Sequence, residues 1–192
     1  MRIGTLYDFR RSEEFGEEIG DKDEGRKSIT MELKPGHYDI NNPIPSDAPI
    51  NVTFKPGGFM SFAGEGVRIG TGIEDQDAFI YCLTEENDPV QLAKLGYLSG
   101  FEVHDVSGFH DAITSVLSNK VGAFSFARVG KCVYKSRDED YNSVTGVPPT
   151  LIKEPKYSYQ REYRIVWRDI RIQDYQPIVL NVPNARKFCH RF

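Results

Sequence analysis

The chain has 192 residues, of which 39% are hydrophobic and 12% aromatic, and its formal net charge is −4. This composition is too apolar for a disordered protein, and the length fits a single domain, residues 1–192. The mild negative charge gives no reason to expect whole-protein attraction to nucleic acid or to an anionic membrane. The many Phe and Tyr residues favour a β-sheet over a helical bundle.

The N-terminus and the cysteines indicate an intracellular protein. The segment 1–8 becomes polar too early for a signal peptide, and no window approaches the roughly 20 apolar residues of a membrane span. The three cysteines, Cys82, Cys132 and Cys189, form no C-x-x-C pair, so neither a disulfide framework nor a zinc site is indicated. We therefore expect a cytoplasmic protein with free thiols, no metal and no membrane partner.

The first half of the chain predicts strands separated by loops rich in glycine and proline. Strands are predicted at residues 2–11, 28–33, 51–54, 59–62 and 78–83. The third and fourth of these flank Pro56-Gly57-Gly58 and are expected to form a hairpin. The run 78–83 is continuously apolar, which is typical of a central strand covered on both faces. Acidic residues dominate the loop at 13–24.

The second half predicts two helices and the remaining strands. Asp88 is a good N-cap for a helix at 88–97. The second helix begins near Ser107, and its apolar stripe consists of Phe109, Ile113, Val116 and Leu117. Strands are predicted at residues 101–106, 123–134, 157–168 and 177–182. The expected fold class is α+β, a strand-rich, split, mostly antiparallel β-sheet core with two main helices.

Several familiar motifs are absent or incomplete. The glycines at 64–70 do not fit a dinucleotide-binding loop, because the third is one residue late and no helix pattern follows. A turn is predicted there instead. No Gly-Lys-Ser/Thr triplet and no Gly-x-Ser-x-Gly elbow occurs. The pairs His104-Asp105 and His110-Asp111 raise a metal-dependent hydrolase as the least favoured interpretation, since both aspartates suit helix starts.

The segment 157–167 combines strand-like alternation with polar chemistry. With a period of two, one face carries Tyr159, Arg161, Tyr163, Ile165 and Trp167. The other face presents an amide, a carboxylate and a guanidinium about 7 Å apart, from Gln160, Glu162 and Arg164. This is more polar chemistry in one row than a solvated strand needs. The alternative is a cross-strand ladder of ion pairs.

Gln160-Arg161-Glu162 resembles the Gln/Glu-x-Glu signature of ADP-ribosyltransferases, which lies on a late strand of their split β-sandwich. The wider chain resembles a bacterial family of domains associated with abortive phage infection. Its members pair an Arg-x-Gly-Thr-Leu-Tyr strand with a late Tyr-x-x-Glu-x-Glu-Tyr/Trp-Arg strand. The matching stretches are residues 2–10, 79–84, 100–105 and 157–166.

The resemblance implies an NAD-dependent mono-ADP-ribosyltransferase, a phage-defence or toxin-type enzyme with NAD as substrate. Glu162 would be the catalytic acid that stabilises the cation formed as nicotinamide departs. Gln160 would orient the acceptor, a macromolecule (protein or nucleic acid). The implied cofactor-binding residues are Arg2 or Arg10 from an early strand, Arg164, and an aromatic ring supplied by Tyr81, Phe59 or Phe62.

A non-catalytic relative of the same fold is the alternative, and it would bind a nucleotide or another protein. Members of the resembling family have a further strand and helix before the Arg-x-Gly-Thr-Leu stretch, whereas this sequence starts at Met1. In the transferases the first strand supplies the cofactor-binding Arg or His. Losing that strand would leave a folded, inactive protein.

The cysteine pattern predicts the outcome of a thiol titration. Because no cysteine has a partner at disulfide or metal-ligand spacing, denatured and unreduced protein should react with three equivalents of a thiol reagent. A count of one in freshly purified protein would mean that two cysteines are cross-linked.

Overall fold

The computed structural model describes residues 1–16, 20–46, 48, 52–63, 66–86, 88, 90, 93, 96 and 99–191. The strands are β1 (Arg2–Thr5), β2 (Arg26–Leu33), β3 (Gly36–Asp39), β4 (Phe59–Phe62), β5 (Val67–Glu74), β6 (Phe79–Thr84), β7 (Phe101–Val103), β8 (Phe126–Lys131), β9 (Val133–Tyr134), β10 (Asp138–Asp140), β11 (Ile152–Lys153), β12 (Glu162–Arg168), β13 (Ile178–Val179) and β14 (Cys189–Arg191). The α-helices are α1 (Ser12–Phe15) and α2 (Val106–Val121), and 3-10 segments occupy Asp8–Arg10, Tyr141–Ser143, Pro149–Leu151, Pro155–Gln160 and Pro183–Phe188. None of these described helices has the length and apolar character needed to cross a membrane.

A five-stranded sheet in the order β13-β1-β6-β12-β8 forms the centre of the fold. All of its neighbouring strands are antiparallel. A second sheet has the order β10-β2-β5, and the remaining described strands pair two by two. Only β10–β2 and β11–β9 are parallel among the described pairs. The prediction of a strand-rich, mostly antiparallel α+β fold is confirmed at this level, and β6 is the predicted central strand.

Helix α2 covers one face of the five-stranded sheet. Its predicted stripe is buried at Phe109, Ile113 and Leu117 and packs against alternate residues of the sheet, including Ile165 and Trp167. Asp105 caps the helix, since its carboxylate accepts a hydrogen bond from the Gly108 backbone N–H at 2.9 Å. The predicted start near 107 and the buried stripe are both confirmed.

The absence of a side chain at Gly108 lets the C-terminal segment approach α2 closely. A Cβ at this position would lie 2.3 Å from the ring of Phe188, which ends the 3-10 segment Pro183–Phe188. This contact places the 3-10 segment and β14 directly against the start of α2.

The opposite face of the sheet is apolar at one end and charged at the other. A small cluster of Leu6, Ala78, Ile80 and Val166 is buried at the apolar end. Further along β12, the charged side chains of Glu162 and Arg164 are buried on the same face. They lie beneath the segment that precedes β2 and beneath β11.

The first strand is shorter than its alternation indicated. Residues 2–11 were expected to be extended, but β1 ends at Thr5. The Thr5 hydroxyl accepts a hydrogen bond from the Asp8 backbone N–H at 3.0 Å, and Asp8–Arg10 then form a 3-10 turn.

The late strand begins five residues after its predicted start. Residues 157–160 belong to the 3-10 segment Pro155–Gln160, and Arg161 adopts a left-handed conformation with φ of 42°. A non-glycine residue at such an angle interrupts an extended strand. The alternation therefore holds for Tyr163, Ile165 and Trp167, but not for residues 159–161.

Two strand pairings also differ from the predictions. Strand β4 pairs with β3 rather than with residues 51–54, of which 52–54 are outside any strand. The turn predicted at residues 64–70 is wrong for residues 67–70, which form the first half of β5. Its alternate residues Val67, Ile69 and Ile73 are nevertheless half-buried, and β5 pairs with β2 along its whole length.

Two predicted elements, a helix and part of a turn, involve residues outside those that the structure describes. The helix expected at 88–97 lies largely outside the described residues, and so does the glycine turn around 64–65.

The central position of β6 predicts a large effect of truncating Ile80. Its side chain is 1% exposed and packs in the cluster with Leu6 and Val166. Ile80→Ala should lower the free energy of unfolding by about 2–5 kcal/mol in urea titrations, as for other buried truncations. Val179→Ala, at a 70% exposed position of β13, is the control and should change it by less than about 0.5 kcal/mol. Equal effects would mean that β6 is not buried.

Candidate functional site

A cleft of about 1630 Å³ opens where β1 separates from β6. The two strands pair only at Gly4–Ile80 and Thr5–Phe79, whereas Arg2 pairs with Val179 of β13 instead. The remainder of β6 consequently has β12 on one side and the cleft on the other. Residues from both faces of the sheet line the cleft.

Glu162 lies at the start of β12 on the charged face and lines the cleft. Its Oε1 is 2.6 Å from Nε of Arg164, and its Oε2 is 2.6 Å from Nζ of Lys153. Its backbone N–H donates to the Tyr134 hydroxyl at 2.6 Å. The carboxylate is therefore held between two cations.

Arg164 is 1% exposed and uses every donor of its guanidinium within the protein. Nη1 and Nη2 donate to the two carboxylate oxygens of Glu24 at 2.7 and 2.9 Å. Nη1 also donates to the Thr150 carbonyl, while Nε and Nη2 donate to Glu162 at 2.6 and 3.3 Å. A guanidinium has five N–H groups, so these five bonds satisfy it completely.

Lys153 completes the group of buried charges. It comes from β11, and its ammonium donates to the Gln160 side-chain oxygen as well as binding Glu162. The Tyr157 ring lies 5.2 Å from the same ammonium. We call Glu24, Lys153, Glu162 and Arg164 the buried quartet. Its two carboxylates and two cations balance, as burial of charged groups requires.

The quartet fixes the protonation states at this end of the cleft. Burial alone would raise the pKa of the Glu162 carboxyl, but Arg164 and Lys153 together lower it well below its ordinary value. Burial and the nearby Glu162 charge raise the pKa of the Cys82 thiol well above its ordinary value. Burial raises the pKa of Tyr134 to about 12. At neutral pH the carboxylate is ionised, and the thiol and the phenol are protonated.

Of the eight candidate site residues named from the sequence, five line the cleft: Arg2, Tyr81, Gln160, Glu162 and Arg164. They reach it in different ways. Gln160 is the last residue of a 3-10 segment and does not belong to the strand. Tyr81 lies on the α2 face and packs against Phe109, with ring centroids 5.8 Å apart. Arg2 has a half-exposed side chain that forms an ion pair with Asp8.

Arg10 is not among the described residues that line the cleft. Its Nε donates to the Glu24 carbonyl at 2.7 Å, and its Nη1 pairs with Glu74. Arg10 thus holds the segment that carries Glu24. The other two aromatic candidates, Phe59 and Phe62, lie on the β3–β4 hairpin and are likewise not cleft-lining residues.

The contributions of Glu24 and Lys153 were missed by the sequence analysis. Glu24 belongs to the acidic loop at 13–24, where it looks like one solvated carboxylate among several. Lys153 follows a proline-rich stretch and has no motif around it. The one available signal was the excess of polar residues at the start of β12, which required buried partners of opposite charge from elsewhere in the chain.

The histidines form no metal centre in the described part of the chain. His104 stacks on His190 at 4.5 Å, while His110 stacks on Trp167 at 5.8 Å and bonds to Asp111. The described residues contain no group of three or more His, Cys, Asp or Glu side chains that could hold a metal ion.

The β3–β4 hairpin brings a serine, a histidine and an aspartate together. His37 is 2.9 Å from the Ser61 hydroxyl through Nδ1 and 3.3 Å from Asp39 through Nε2. The His37 side chain is 54% exposed on the hairpin, outside the cleft. A nucleophile needs a shaped, water-poor site with an oxyanion-binding group, so we assign these contacts to cross-strand pairing.

Comparisons with protein-family models, with curated proteins and with solved structures give no significant match to this chain.

The buried quartet predicts that removing the Glu162 charge destabilises the protein. Glu162→Gln leaves Lys153 and Arg164 with one carboxylate between them, which should cost about 3–5 kcal/mol at neutral pH. Because folding lowers the pKa of Glu162, its contribution is complete above its ordinary pKa of 4.5 and declines as pH falls below it. The variant should therefore lose less stability than wild type between pH 5 and 3.

Urea titrations across this pH range measure both effects. Glu102→Gln is the control, because Glu102 also lines the cleft but is exposed. It should keep wild-type stability and a wild-type pH dependence. An equally small change for Glu162→Gln would contradict the ion-pair geometry.

Proposed function

We propose that this protein is an NAD-dependent mono-ADP-ribosyltransferase whose active site is the cleft between β1 and β6. The observation that supports the proposal is the convergence of Arg2, Tyr81, Gln160, Glu162 and Arg164 on one cleft. These residues come from chain positions as far apart as 2 and 164. The divergence of β1 from β6 is compatible with the split sheet that the resemblance implies.

Glu162 is the proposed catalytic residue. In the transfer reaction, the bond between ribose C1′ and the nicotinamide nitrogen breaks, and nicotinamide leaves with the electron pair. The ribose then carries positive charge until an acceptor nucleophile bonds to C1′ and loses its proton. An ionised carboxylate at the cleft wall stabilises that charge. Lys153 and Arg164 hold it in place before the substrate arrives.

The other residues have roles in binding and positioning. Arg164 is a positioning residue for Glu162, because all of its donors are already bonded within the protein. Gln160, held by Lys153 through its side-chain oxygen, is the candidate for orienting the acceptor. The half-exposed guanidinium of Arg2 is the candidate for a phosphate contact, and Tyr81 is the candidate for a ring contact with nicotinamide.

A non-catalytic nucleotide-binding protein of the same fold is the second candidate. The observation that favours it is the occupation of both Glu162 carboxylate oxygens by cations. A carboxylate that two cations already neutralise attracts a developing ribose cation less strongly than a free carboxylate does. Such a protein would bind NAD⁺ in the cleft and leave it intact.

Release of nicotinamide from labelled NAD⁺, with and without cell lysate as the source of acceptor, distinguishes the two candidates. The transferase should cleave NAD⁺ and transfer the adenine-containing label. Glu162→Gln should lower the rate by about 10²–10³ at a temperature where the variant is folded. Glu162→Asp keeps the charge in a shorter side chain and serves as the second variant if Glu162→Gln does not fold.

Glu139→Gln is the matched control for this experiment. Glu139 is also a buried carboxylate that binds two lysines, Lys27 and Lys135, but it lies outside the cleft. Its replacement should destabilise the protein and leave the NAD⁺ cleavage rate of the folded fraction unchanged. Binding of NAD⁺ without cleavage by wild type would favour the second candidate. If wild type neither binds nor cleaves NAD⁺, both candidates are ruled out.

A further inference from the structure

The wall of the cleft nearest α2 places an aromatic ring beside an arginine. Strands β7 and β14 pair with Phe101 opposite Arg191 and Val103 opposite Cys189. Val103 and Cys189 pack against the core, so this face of the two-stranded sheet is the inner one. Because side chains alternate along a strand, Phe101 and Arg191 project from the same inner face, with Cβ atoms typically about 5 Å apart.

Phe101 offers one side of its ring to the cleft. The other side packs against Phe109, with ring centroids 6.1 Å apart and an interplanar angle of 44°. The side chain remains 43% exposed although it lines the cleft. A large apolar side chain in this position presents a flat surface that no described residue covers completely.

The same wall carries two arginines whose charge no described carboxylate neutralises. Arg186 and Arg191 both line the cleft and are exposed, and neither guanidinium forms a hydrogen bond or an ion pair with the described residues. By contrast, Glu85 and Glu86 on the cleft lining pair with Lys131 and Arg161. Of the two other acidic lining residues, Glu162 is paired with Lys153 and Arg164. Glu102 is opposite His190 and projects from the other face of β7.

The positions of these arginines are set by the fold rather than by a loop. Arg186 belongs to the 3-10 segment Pro183–Phe188, which is held against α2 by the contact of Phe188 with Gly108. Arg191 is in the β7–β14 ladder. A binding wall built from such elements keeps its geometry before a ligand arrives, which lowers the entropic cost of binding.

We propose that this wall is a subsite for an aromatic base that carries phosphate groups, such as the ADP half of NAD⁺. The base stacks on the exposed side of Phe101, and the phosphates accept hydrogen bonds from Arg186 and Arg191. Aromatic side chains stack on bases irrespective of base identity, and the planar guanidinium fork matches phosphate oxygens. The subsite rests on the proposed function in its choice of NAD⁺ but requires only binding, not cleavage.

Calorimetric titration with ADP, adenosine and NAD⁺ tests the subsite. Wild type should bind ADP more tightly than adenosine. Arg186→Gln and Arg191→Gln should each weaken ADP binding about tenfold or more and leave adenosine binding unchanged, as expected for hydrogen bonds to charged groups. Phe101→Leu should weaken ADP and adenosine binding by the same factor. Arg186 and Arg191 are exposed, so thermal unfolding of the arginine variants should match that of wild type. Phe101→Leu keeps an apolar side chain against Phe109 and should remain folded at the titration temperature.

Lys187→Gln and Phe59→Leu are the matched controls. Lys187 is the exposed cation next to Arg186 but does not line the cleft, and Phe59 is an exposed aromatic residue on the separate β3–β4 hairpin. Both variants should bind ADP like wild type. Three results would each overturn the subsite. Wild type binds adenosine as tightly as ADP, wild type does not bind ADP, or Lys187→Gln loses as much ADP affinity as Arg186→Gln.

Titration with NAD⁺ separates this proposal from the transferase proposal. If the arginine variants weaken ADP and NAD⁺ binding alike while wild type never releases nicotinamide, the subsite stands and the transferase proposal fails. If wild type releases nicotinamide and the arginine variants do so with unchanged KM, the subsite fails and the transferase proposal stands.

Discussion

Arg164 places a full positive charge in the interior of this protein, and the surrounding structure is arranged to satisfy it. The guanidinium reaches Glu24, which is 140 residues away in the chain, as well as the Thr150 carbonyl and Glu162. Three chain segments thus meet at one planar group. Since an unpaired buried charge costs several kcal/mol, each segment can dock on the sheet only in the position that supplies its acceptor.

The same arrangement determines what the cleft can do. Lys153 and Arg164 fix the orientation of the Glu162 carboxylate and keep it ionised, so the negative charge is preorganised at the cleft wall. A preorganised charge needs no rearrangement when positive charge develops nearby, which is the main electrostatic advantage of an enzyme over water. The neutral total charge of the buried quartet limits that advantage. The balance between these two effects separates a transferase from a binding protein.

The sequence predicted the elements in which local pattern and tertiary environment agree. The apolar run of β6, the stripe of α2 and the alternation of Tyr163, Ile165 and Trp167 all follow from side-chain periodicity. The same periodicity was misleading for Gln160, because Arg161 adopts a left-handed conformation that ends the alternation. An arginine at this position gives no signal of such a conformation. Strand β5 was missed because its glycines, which usually break strands, face the exposed side of the sheet.

The candidate site could be predicted only where it lies on one strand. Glu162 and Arg164 were identified from their position on β12, but their partners Glu24 and Lys153 come from segments without a recognisable pattern. Contacts over 140 residues depend on how the segments pack, and one sequence carries no local trace of them. The cleft itself arises because β1 leaves β6 after two residue pairs, a feature of topology rather than of composition.

The strand order of the central sheet affects how the chain folds during synthesis. Strand β1 lies between β6 and β13, and β12 is on the far side of β6. During synthesis β1 therefore gains its second neighbour only after β13, at Ile178–Val179, has left the ribosome. Such long-range pairing is slow to form and leaves strand edges exposed for longer, which makes nascent chains dependent on protection from aggregation. Until β12 has been synthesised, the Arg164 guanidinium is not available, and the Glu24 carboxylate remains solvated by water.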